Sequence, residues 1–340
     1  MLEKNELPIV IPTVTAYHRV SFAMAVLIAN HRYHFCMNNY INVFMHPDYI
    51  KGNDNNFLNF VNTDIYKVAE FEVDTLKKNN ITFDDVISCI DNGKYLFFNN
   101  INEHYIMNAR YEGKDFPHNI FVYGYDKNEG TVSVMGYDKT TKMALYKTPF
   151  EALHQSCNSV FGETDIRTVS LRQDKKAFID LDMIRKGFSD YLESRPYSDN
   201  FTERNVFGVD AVMYLMHYLK CIEVGIYDKN KFDLKMFRLV SDHKQLMRKR
   251  LQVLSEIDSS MNGMADELSD IIAMSEKVRA LSLKFFASGK EMLLQNMQKY
   301  LKEMIEKEQF LYSKILEKLD ALILKKNEMN TEISLDRYFE

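Results

Sequence analysis

The C-terminal third of the chain constrains the fold more than any other part of the sequence. From Asp233 onward, apolar residues recur at alternating steps of three and four, which is the spacing of one face of an α-helix. Gly263 and the segment Ser288–Lys290 interrupt this pattern and divide it into three predicted helices. We expect these helices to pack as antiparallel partners or as a short coiled-coil-like arm. If the third helix projects from the protein, a homodimer through these C-terminal helices would cover its apolar face.

The residues before Asp233 show a mixed pattern, in which short apolar strands alternate with helical stretches. Strands are predicted at Lys94–Ile101, Asn119–Asp126, Thr131–Asp138 and Ile166–Gln173, and helices at Phe83–Gly93, Pro149–Phe161, Leu181–Ser194 and Phe207–Val224. A strand-rich middle between helical ends predicts the α+β class. We divide the chain into a catalytic domain at residues 1–175 and a helical region with long amphipathic helices at residues 176–340.

Composition and charge exclude several classes of function. The chain has 340 residues, of which 46% are hydrophobic and 27% charged, as in an ordinary packed protein. A net charge of -5 argues against broad electrostatic capture of nucleic acid. The longest apolar stretches, Phe22–Ala29 and Ala211–Leu219, are too short to cross a bilayer, and the acidic start lacks a signal-peptide pattern. We therefore expect a cytoplasmic protein that binds neither nucleic acid nor membrane.

Neither the cysteines nor the histidines near them have the spacing of a metal site. The four cysteines are far apart in the sequence, at Cys36, Cys89, Cys157 and Cys221. They form no CxxC pair, and we expect reduced thiols. His31 and His34 flank Cys36, but no acidic or cysteine partner at ligand spacing completes a set. We therefore expect no bound metal. The chain has no GxxxxGK[ST] loop either, so we expect no bound nucleotide.

A hairpin that begins near His118 carries the clearest indication of chemistry. Its turn lies at Lys127–Gly130, so residues whose numbers add to about 257 would lie opposite each other. With a bulge or a register shift, Asp138 would come close to His118. A carboxylate beside an imidazole accepts one ring N–H, orients the ring and leaves the other nitrogen as a base.

Other interpretations of these polar residues stay open. The sequence Gly-Tyr-Asp-Lys occurs twice, so Asp126 ends the first copy as Asp138 ends the second. Either aspartate could simply cap a turn, and we favour Asp138 over Asp126 as the partner of His118. Glu103 and His104 could line a substrate pocket, although the exposed face of a strand is the favoured interpretation.

Cys36 is the candidate nucleophile. The residues after it, up to Met45, have helical spacing and predict a helix whose first turn contains Cys36. A thiol at a helix N-terminus has a lowered pKa, and a nearby histidinium lowers it further. The amide groups of the first turn could also hold an oxyanion, to which the side chain of Asn30 could add an N–H group.

A cysteine at the start of a helix, a histidine that opens a strand and an aspartate that ends the next strand resemble the papain-like cysteine protease fold. Within it, "NGKYLFFNNINEHYI", "FPHNIFVYGYD" and "VMGYDKTTKMALYKTPFEAL" resemble the butirosin-biosynthesis acyltransferase family over roughly Tyr33 to Phe161. The resemblance implies Cys36 as nucleophile, His118 as general base and acid, and Asp138 as the orienting carboxylate. Asn30 would take the place of the oxyanion-hole glutamine.

The resemblance also implies a reaction. The family moves an acyl group from a carrier-protein thioester to an amine in natural-product and antibiotic biosynthesis, and a similar fold underlies the amide-forming enzyme of closthioamide assembly. The implied partners are an acyl or peptidyl carrier protein, whose phosphopantetheine arm carries the donor, and a small amine acceptor. The alternatives are a cysteine peptidase or thioesterase, or a non-catalytic binding protein on a degenerate protease scaffold. A buried and inert Cys36 would favour the last.

Overall fold

The structure, a computed structural model, describes residues 2–46, 58–61, 63–76, 81–159, 165–175, 178–196 and 205–329. The chain forms two compact units. The first contains Met1–Arg32 and Asp64–Lys176, and the second contains Tyr33–Thr63 and Ala177–Glu340. The segment Tyr33–Thr63, which sequence analysis assigned to the first domain, therefore belongs to the second unit.

The secondary structure of the described residues is mixed. The strands are β1 (Lys4–Glu6), β2 (Val43–Met45), β3 (Asn59–Phe60), β4 (Phe71–Thr75), β5 (Tyr95–Asn102), β6 (Pro117–Asp126), β7 (Thr131–Tyr137), β8 (Met143–Pro149), β9 (Asp165–Leu171) and β10 (Val206–Phe207). The helices are α1 (His18–Ala29), α2 (Tyr33–Asn38), α3 (Phe83–Asp91), α4 (Phe150–Cys157), α5 (Leu181–Leu192), α6 (Gly208–Glu223), α7 (Leu234–Ile257), α8 (Met264–Glu267), α9 (Ser269–Ser288) and α10 (Met292–Met329).

The first unit is built on an antiparallel sheet. Its strands follow the order β4-β9-β5-β6-β7-β8, and β1 pairs with the far end of β6. The central strands are rich in aromatic and β-branched residues, which pack well on a pleated surface. The predicted strands and the predicted helices α3, α4, α5 and α6 are confirmed to within a few residues. Phe161, the expected end of α4, lies outside the described residues. The α+β class with an antiparallel sheet is thus confirmed.

The two Gly-Tyr-Asp-Lys copies have a structural explanation. A Cβ atom on Gly124 would lie 2.8 Å from the carbonyl oxygen of Asn5 in β1, so only glycine lets the two strands pair there. A Cβ atom on Gly136 would lie 2.9 Å from the hydroxyl oxygen of Tyr146 in β8. Gly124 therefore provides room for the backbone of a neighbouring strand and Gly136 for a side chain of one, and each copy ends where its strand enters a turn.

The second unit contains the three helices expected after Asp233, as α7, α9 and α10. Gly263 and Gly289, both with positive φ, lie at the two expected breaks. The apolar stripe of α10 is buried against α9, α6 and α5; it includes Met297, Met304, Leu311, Ile315 and Leu319. A homodimer stays a prediction, but the stripe from which we inferred it is already covered. No helix among the described residues is long and apolar enough to cross a membrane.

The helix predicted from Cys36 to Met45 is wrong in its second half. Helix α2 ends at Asn38, and Tyr40 has a φ of 53°, which breaks any helix. Val43–Met45 is instead the strand β2, which pairs with β3 on one side and with β10 on the other. Over so few residues, the same apolar pattern fits a helix and a strand. Pairing with the distant segments β3 and β10 makes it a strand.

Candidate functional site

The surroundings of His118 follow from the pairing of two strands. His118 is the second residue of β6 and lies opposite Ile101 of β5. Beyond Asn102, β5 continues into a 3-10 turn that begins with Glu103. The antiparallel pairing therefore places the end of β5 beside the start of β6. His118 Nδ1 lies 2.6 Å from Glu103 Oε1, which is the distance of a short, charge-assisted hydrogen bond.

Backbone hydrogen bonds fix the position of Glu103. Its N–H donates to the carbonyl oxygen of Phe116 at 3.0 Å, and its Oε2 accepts from the N–H of Tyr111 at 3.3 Å. The Glu103 side chain is 1% exposed and the His118 side chain 18%. Because a carboxylate only accepts hydrogen bonds, Nδ1 of a neutral His118 carries the proton toward Glu103. Nε2 then remains available for proton transfer.

A second histidine lies beside this pair. His18 is the first residue of α1, is buried, and contacts His118 edge-on with 4.1 Å between ring centroids. The helix is held on the sheet partly by Phe22, whose ring stacks on Phe121 of β6 at 5.1 Å. Since Phe22 is one helical turn after His18, this packing brings the start of α1 to the start of β6. His18, Glu103 and His118 therefore form one cluster inside the first unit.

Aromatic side chains surround His118. Tyr111 and Phe116 stack with 3.9 Å between ring centroids, and the Phe116 ring lies 5.5 Å from that of His118. Tyr137 stacks on His118 at 5.9 Å and donates its hydroxyl to the carbonyl oxygen of Thr15 at 2.6 Å. Phe116 is 37% exposed, so part of this aromatic surface faces solvent. An apolar wall beside a base suits a substrate whose reacting group is attached to an apolar chain.

Asp138 does not have the role that sequence analysis gave it. Its Oδ1 accepts hydrogen bonds from the N–H of Thr140 at 2.8 Å, from the Thr140 hydroxyl at 2.7 Å and from the N–H of Lys142 at 3.0 Å. Burial works against ionisation of Asp138, but these hydrogen bonds outweigh it and lower the pKa of the carboxyl group. Asp138 thus caps the turn between β7 and β8, and the carboxylate that orients His118 is Glu103.

The backbone register behind that assignment is confirmed. Gly124 pairs with Ser133 and Tyr125 with Val132, and both pairs add to the expected 257. A bulge between Val122 and Gly124 then shifts the register by one residue, as anticipated. Register fixes which backbones are opposite each other, whereas the local turn decides where the side chain of Asp138 bonds. Asp126 likewise caps its own turn by accepting from the N–H of Glu129 at 3.2 Å.

Cys36 has the opposite environment to the one expected. It is the fourth residue of the short helix α2, belongs to the second unit and is fully buried. Burial raises the pKa of the Cys36 thiol to about 12, and the positive charges of Arg250 and Lys249 only partly oppose this. The expectation of a lowered pKa is therefore wrong. Removal from water disfavours the thiolate more than a six-residue helix and nearby cations favour it.

Asn30 lies at the wrong end of α1 for an oxyanion site beside His118. It is the C-terminal cap of the helix, and its amide donates to the carbonyl oxygen of Val26 at 2.8 Å and to the Tyr95 hydroxyl at 3.1 Å. At 1.5 Å per residue, Asn30 is about 18 Å along the helix from His18. Its hydrogen bonds hold the end of the helix to the sheet, which is a structural role.

Sequence analysis missed two members of the cluster. We favoured an exposed position for Glu103, which is wrong, because its side chain is buried. Pairing the predicted strand before Glu103 with the predicted strand after His118 would have brought the two residues together. The sequence indicates a functional role for His18 only weakly. Its one distinguishing feature is that it is a polar residue at the start of an apolar helical stretch. No protein-family model matches this chain, and no curated protein matches it.

Proposed function

We propose that this protein is an acyltransferase of papain-like fold, in which His118 acts as general base and acid and Glu103 orients it. The observation that carries the proposal is the 2.6 Å contact between His118 Nδ1 and Glu103 Oε1, with the carboxylate buried and the imidazole partly exposed. This arrangement fixes the tautomer of the ring and stabilises the imidazolium that forms during proton transfer.

The reaction follows from the resemblance to thioester-dependent, amide-forming enzymes. An amine attacks the carbonyl carbon of an acyl thioester while His118 Nε2 takes a proton from the attacking nitrogen. The tetrahedral intermediate collapses, the C–S bond breaks, and the imidazolium returns the proton to the leaving thiolate. The products are an amide and a thiol, and His118 is neutral again. The donor would be the phosphopantetheine thioester of an acyl or peptidyl carrier protein.

This route needs no acyl-enzyme on Cys36. The Cys36 thiol is buried and has a raised pKa, so it is a poor nucleophile. In the papain-like pattern a cysteine begins the helix that reaches the histidine. Here the helix that reaches His118 begins with His18, a residue that would not be expected to hold an acyl group stably. Both observations argue against a covalent route through Cys36, and the buried thiol is also the feature that favours the binding-protein alternative. Acyl transfer by this protein therefore requires direct attack of the amine on the donor.

The experiment is a transfer assay with a panel of acyl thioesters and small amines, followed by thiol release and by mass analysis of the products. We expect wild-type protein to form amide. We expect Glu103→Gln and His118→Ala to lower the rate by about 10²- to 10⁴-fold, the usual contribution of a positioned acid–base group. Cys36→Ala should keep the wild-type rate. His104→Ala is the matched control, because His104 follows Glu103 in the same turn but pairs with Asp115, at 3.2 Å, and lies outside the cluster.

Three outcomes would change the proposal. Loss of transfer in Cys36→Ala, with an acyl adduct on Cys36 of wild type, would restore the covalent cysteine route. Release of thiol with formation of free acid in place of amide would identify a thioesterase. Absence of any turnover in properly folded wild type, across the whole panel, would overturn the catalytic proposal in favour of a binding protein.

A further inference from the structure

The cluster of His18, Glu103 and His118 also has the composition of a metal site. One nitrogen from each histidine and one oxygen of the carboxylate all lie within 4.8 Å of one another. Among the residues that the structure describes, this is the group of three or more histidine, cysteine or carboxylate side chains that lie close enough together to share an ion. Two imidazoles and one carboxylate are the protein ligands of many zinc and iron(II) centres, where further positions stay open for water or substrate.

The three ligands come from three different elements, each fixed independently. His18 begins α1, Glu103 begins the turn after β5, and His118 lies near the start of β6. Glu103 Oε2 is held by the N–H of Tyr111, as expected for the outer hydrogen bond of a ligating carboxylate. The preceding residue, Asn102, accepts hydrogen bonds from the N–H groups of His104 and Phe116 at 3.1 Å each and so stiffens the turn.

The present contact distance shows what metal binding would have to change. At 2.6 Å, His118 Nδ1 donates a hydrogen bond to Glu103 Oε1. Two ligands of a tetrahedral zinc ion, with bonds of about 2.0–2.1 Å, lie about 3.3 Å apart. If both atoms bind the ion, the proton must leave and the two atoms must separate by about 0.7 Å. All three ligand atoms already lie within 4.8 Å of one another, so the site requires adjustment of side chains that are close together.

We propose that His18, Glu103 and His118 bind a divalent transition-metal ion, with Zn²⁺ as the best match. Zinc suits two imidazoles and one carboxylate, and its usual tetrahedral coordination leaves a fourth position open for water or substrate. The site goes beyond the proposed acyl transfer and does not depend on it. If that function also holds, an ion bound to His118 Nδ1 and Glu103 would inhibit the enzyme reversibly, because it would replace the hydrogen bond that orients the ring and would lower the basicity of Nε2.

The test measures Zn²⁺ binding directly, without any substrate, by competition with a chromophoric chelator and by calorimetry on the full-length protein. We expect one ion per chain in wild type. Replacing a ligand should weaken binding by at least about 100-fold, since even outer-shell changes cost 10- to 100-fold. The variants are His18→Gln, Glu103→Gln and His118→Ala, each checked for folding by circular dichroism.

Two controls separate this site from others. His104→Ala removes the neighbouring histidine, which pairs with Asp115 outside the cluster, and should keep wild-type affinity. Cys36→Ala should also keep it, and Co²⁺ bound to wild type should lack the near-ultraviolet charge-transfer absorption of thiolate ligands. Wild type that binds no Zn²⁺ at micromolar concentration would overturn the proposal. So would equal affinity in wild type and in folded Glu103→Gln and His118→Ala. Because binding is measured directly, its failure is distinct from a failure of acyl transfer.

Discussion

At the scale of single residues, the hydrogen-bond partners nearest to a side chain decide its role. His118 was identified from the sequence because a histidine at the entrance of a strand can reach solvent while its backbone stays paired. Its partner was misidentified, because Asp138 has closer donors in its own turn. The carboxylate that remains for His118 is Glu103, whose backbone is tied to Phe116 and whose second oxygen is tied to Tyr111.

Removing the Asp138 carboxylate should therefore affect stability and leave chemistry unchanged. In Asp138→Ala, two N–H groups and one hydroxyl lose their acceptor. Because these donors are exposed and can bond to water, we expect the free energy of unfolding to fall by about 0.5–1.5 kcal/mol, and turnover per folded molecule to stay at the wild-type value. Urea denaturation and the transfer assay measure the two effects. Asp126→Ala, which removes the cap of the other turn, is the control, and a selective loss of turnover in Asp138→Ala alone would contradict this assignment.

The Cys36 thiol should be unreactive in the folded protein. With a pKa of about 12 instead of the ordinary 9.0, its thiolate fraction at pH 8 is about a thousandfold lower. Burial also shields it from reagents. Alkylation with iodoacetamide, followed by peptide mass spectrometry, should modify the partly exposed Cys89 and Cys157 first and Cys36 only after unfolding. Modification of Cys36 at the rate of Cys89 in native protein would show that the thiol is reachable and ionised.

At the scale of secondary-structure elements, a buried polar network joins the helices of the second unit. His243 on α7 places Nε2 2.8 Å from the carbonyl oxygen of Ile41 and Nδ1 2.9 Å from Lys244 Nζ. The Lys244 ammonium group pairs with Glu308 on α10, whose Oε2 accepts from the Tyr191 hydroxyl of α5 at 2.9 Å. Every side chain of this network is buried, and together the network connects α5, α7 and α10 to the segment before β2.

This network makes stability depend on pH. Burial, and then the positive charge of Lys244, hold the pKa of His243 well below its ordinary 6.5. Below pH 6.5 the unfolded chain therefore binds a proton that the native chain does not. The free energy of unfolding should consequently fall as pH decreases, by about 1.4 kcal/mol per pH unit from this residue. Two further charged side chains, Arg250 and Glu308, are buried in the same region as His243.

The variant His243→Gln isolates that contribution. Glutamine can donate to Ile41 and accept from Lys244, but it does not titrate. Urea denaturation at pH 7.5, 6.5 and 5.5 should show a shallower decrease in the variant than in wild type. Equal slopes in wild type and in His243→Gln would show that another group is responsible.

At the scale of the whole molecule, the two units do not correspond to two continuous halves of the chain. The chain contributes Tyr33–Thr63 to the second unit and returns to the first unit at Asp64, before strands β4 to β9 of the sheet. The buried guanidinium of Arg250 on α7 donates to the carbonyl oxygens of Met37 at 2.7 Å and of Cys36 at 3.0 Å, and also to that of Asn39. The segment therefore supplies acceptors that the C-terminal helices cannot replace.

Cutting the chain at the expected boundary should consequently disrupt the second unit. A fragment of residues 176–340 would lack the acceptors of Arg250, and a buried charge without partners costs about 3–5 kcal/mol. We expect this fragment to lose cooperative urea unfolding, as followed by circular dichroism. Mixing it with the fragment 1–175, which carries Tyr33–Thr63, should restore it. Cooperative unfolding of the isolated fragment 176–340 at wild-type stability would show that Tyr33–Thr63 is dispensable.

The sequence alone determined the elements whose pattern is long and local. The helices α7, α9 and α10, the hairpin of β6 and β7 and the α+β class follow from periodicity and turn residues, because these depend on neighbours in the chain. Only the tertiary structure decided that β2 is a strand, that Tyr33–Thr63 joins the second unit, and that His118 meets Glu103 and His18. These are contacts between segments that are distant in the sequence. Such contacts depend on which groups become buried and on which hydrogen-bond partners are nearest, and neither leaves a periodic pattern in the sequence.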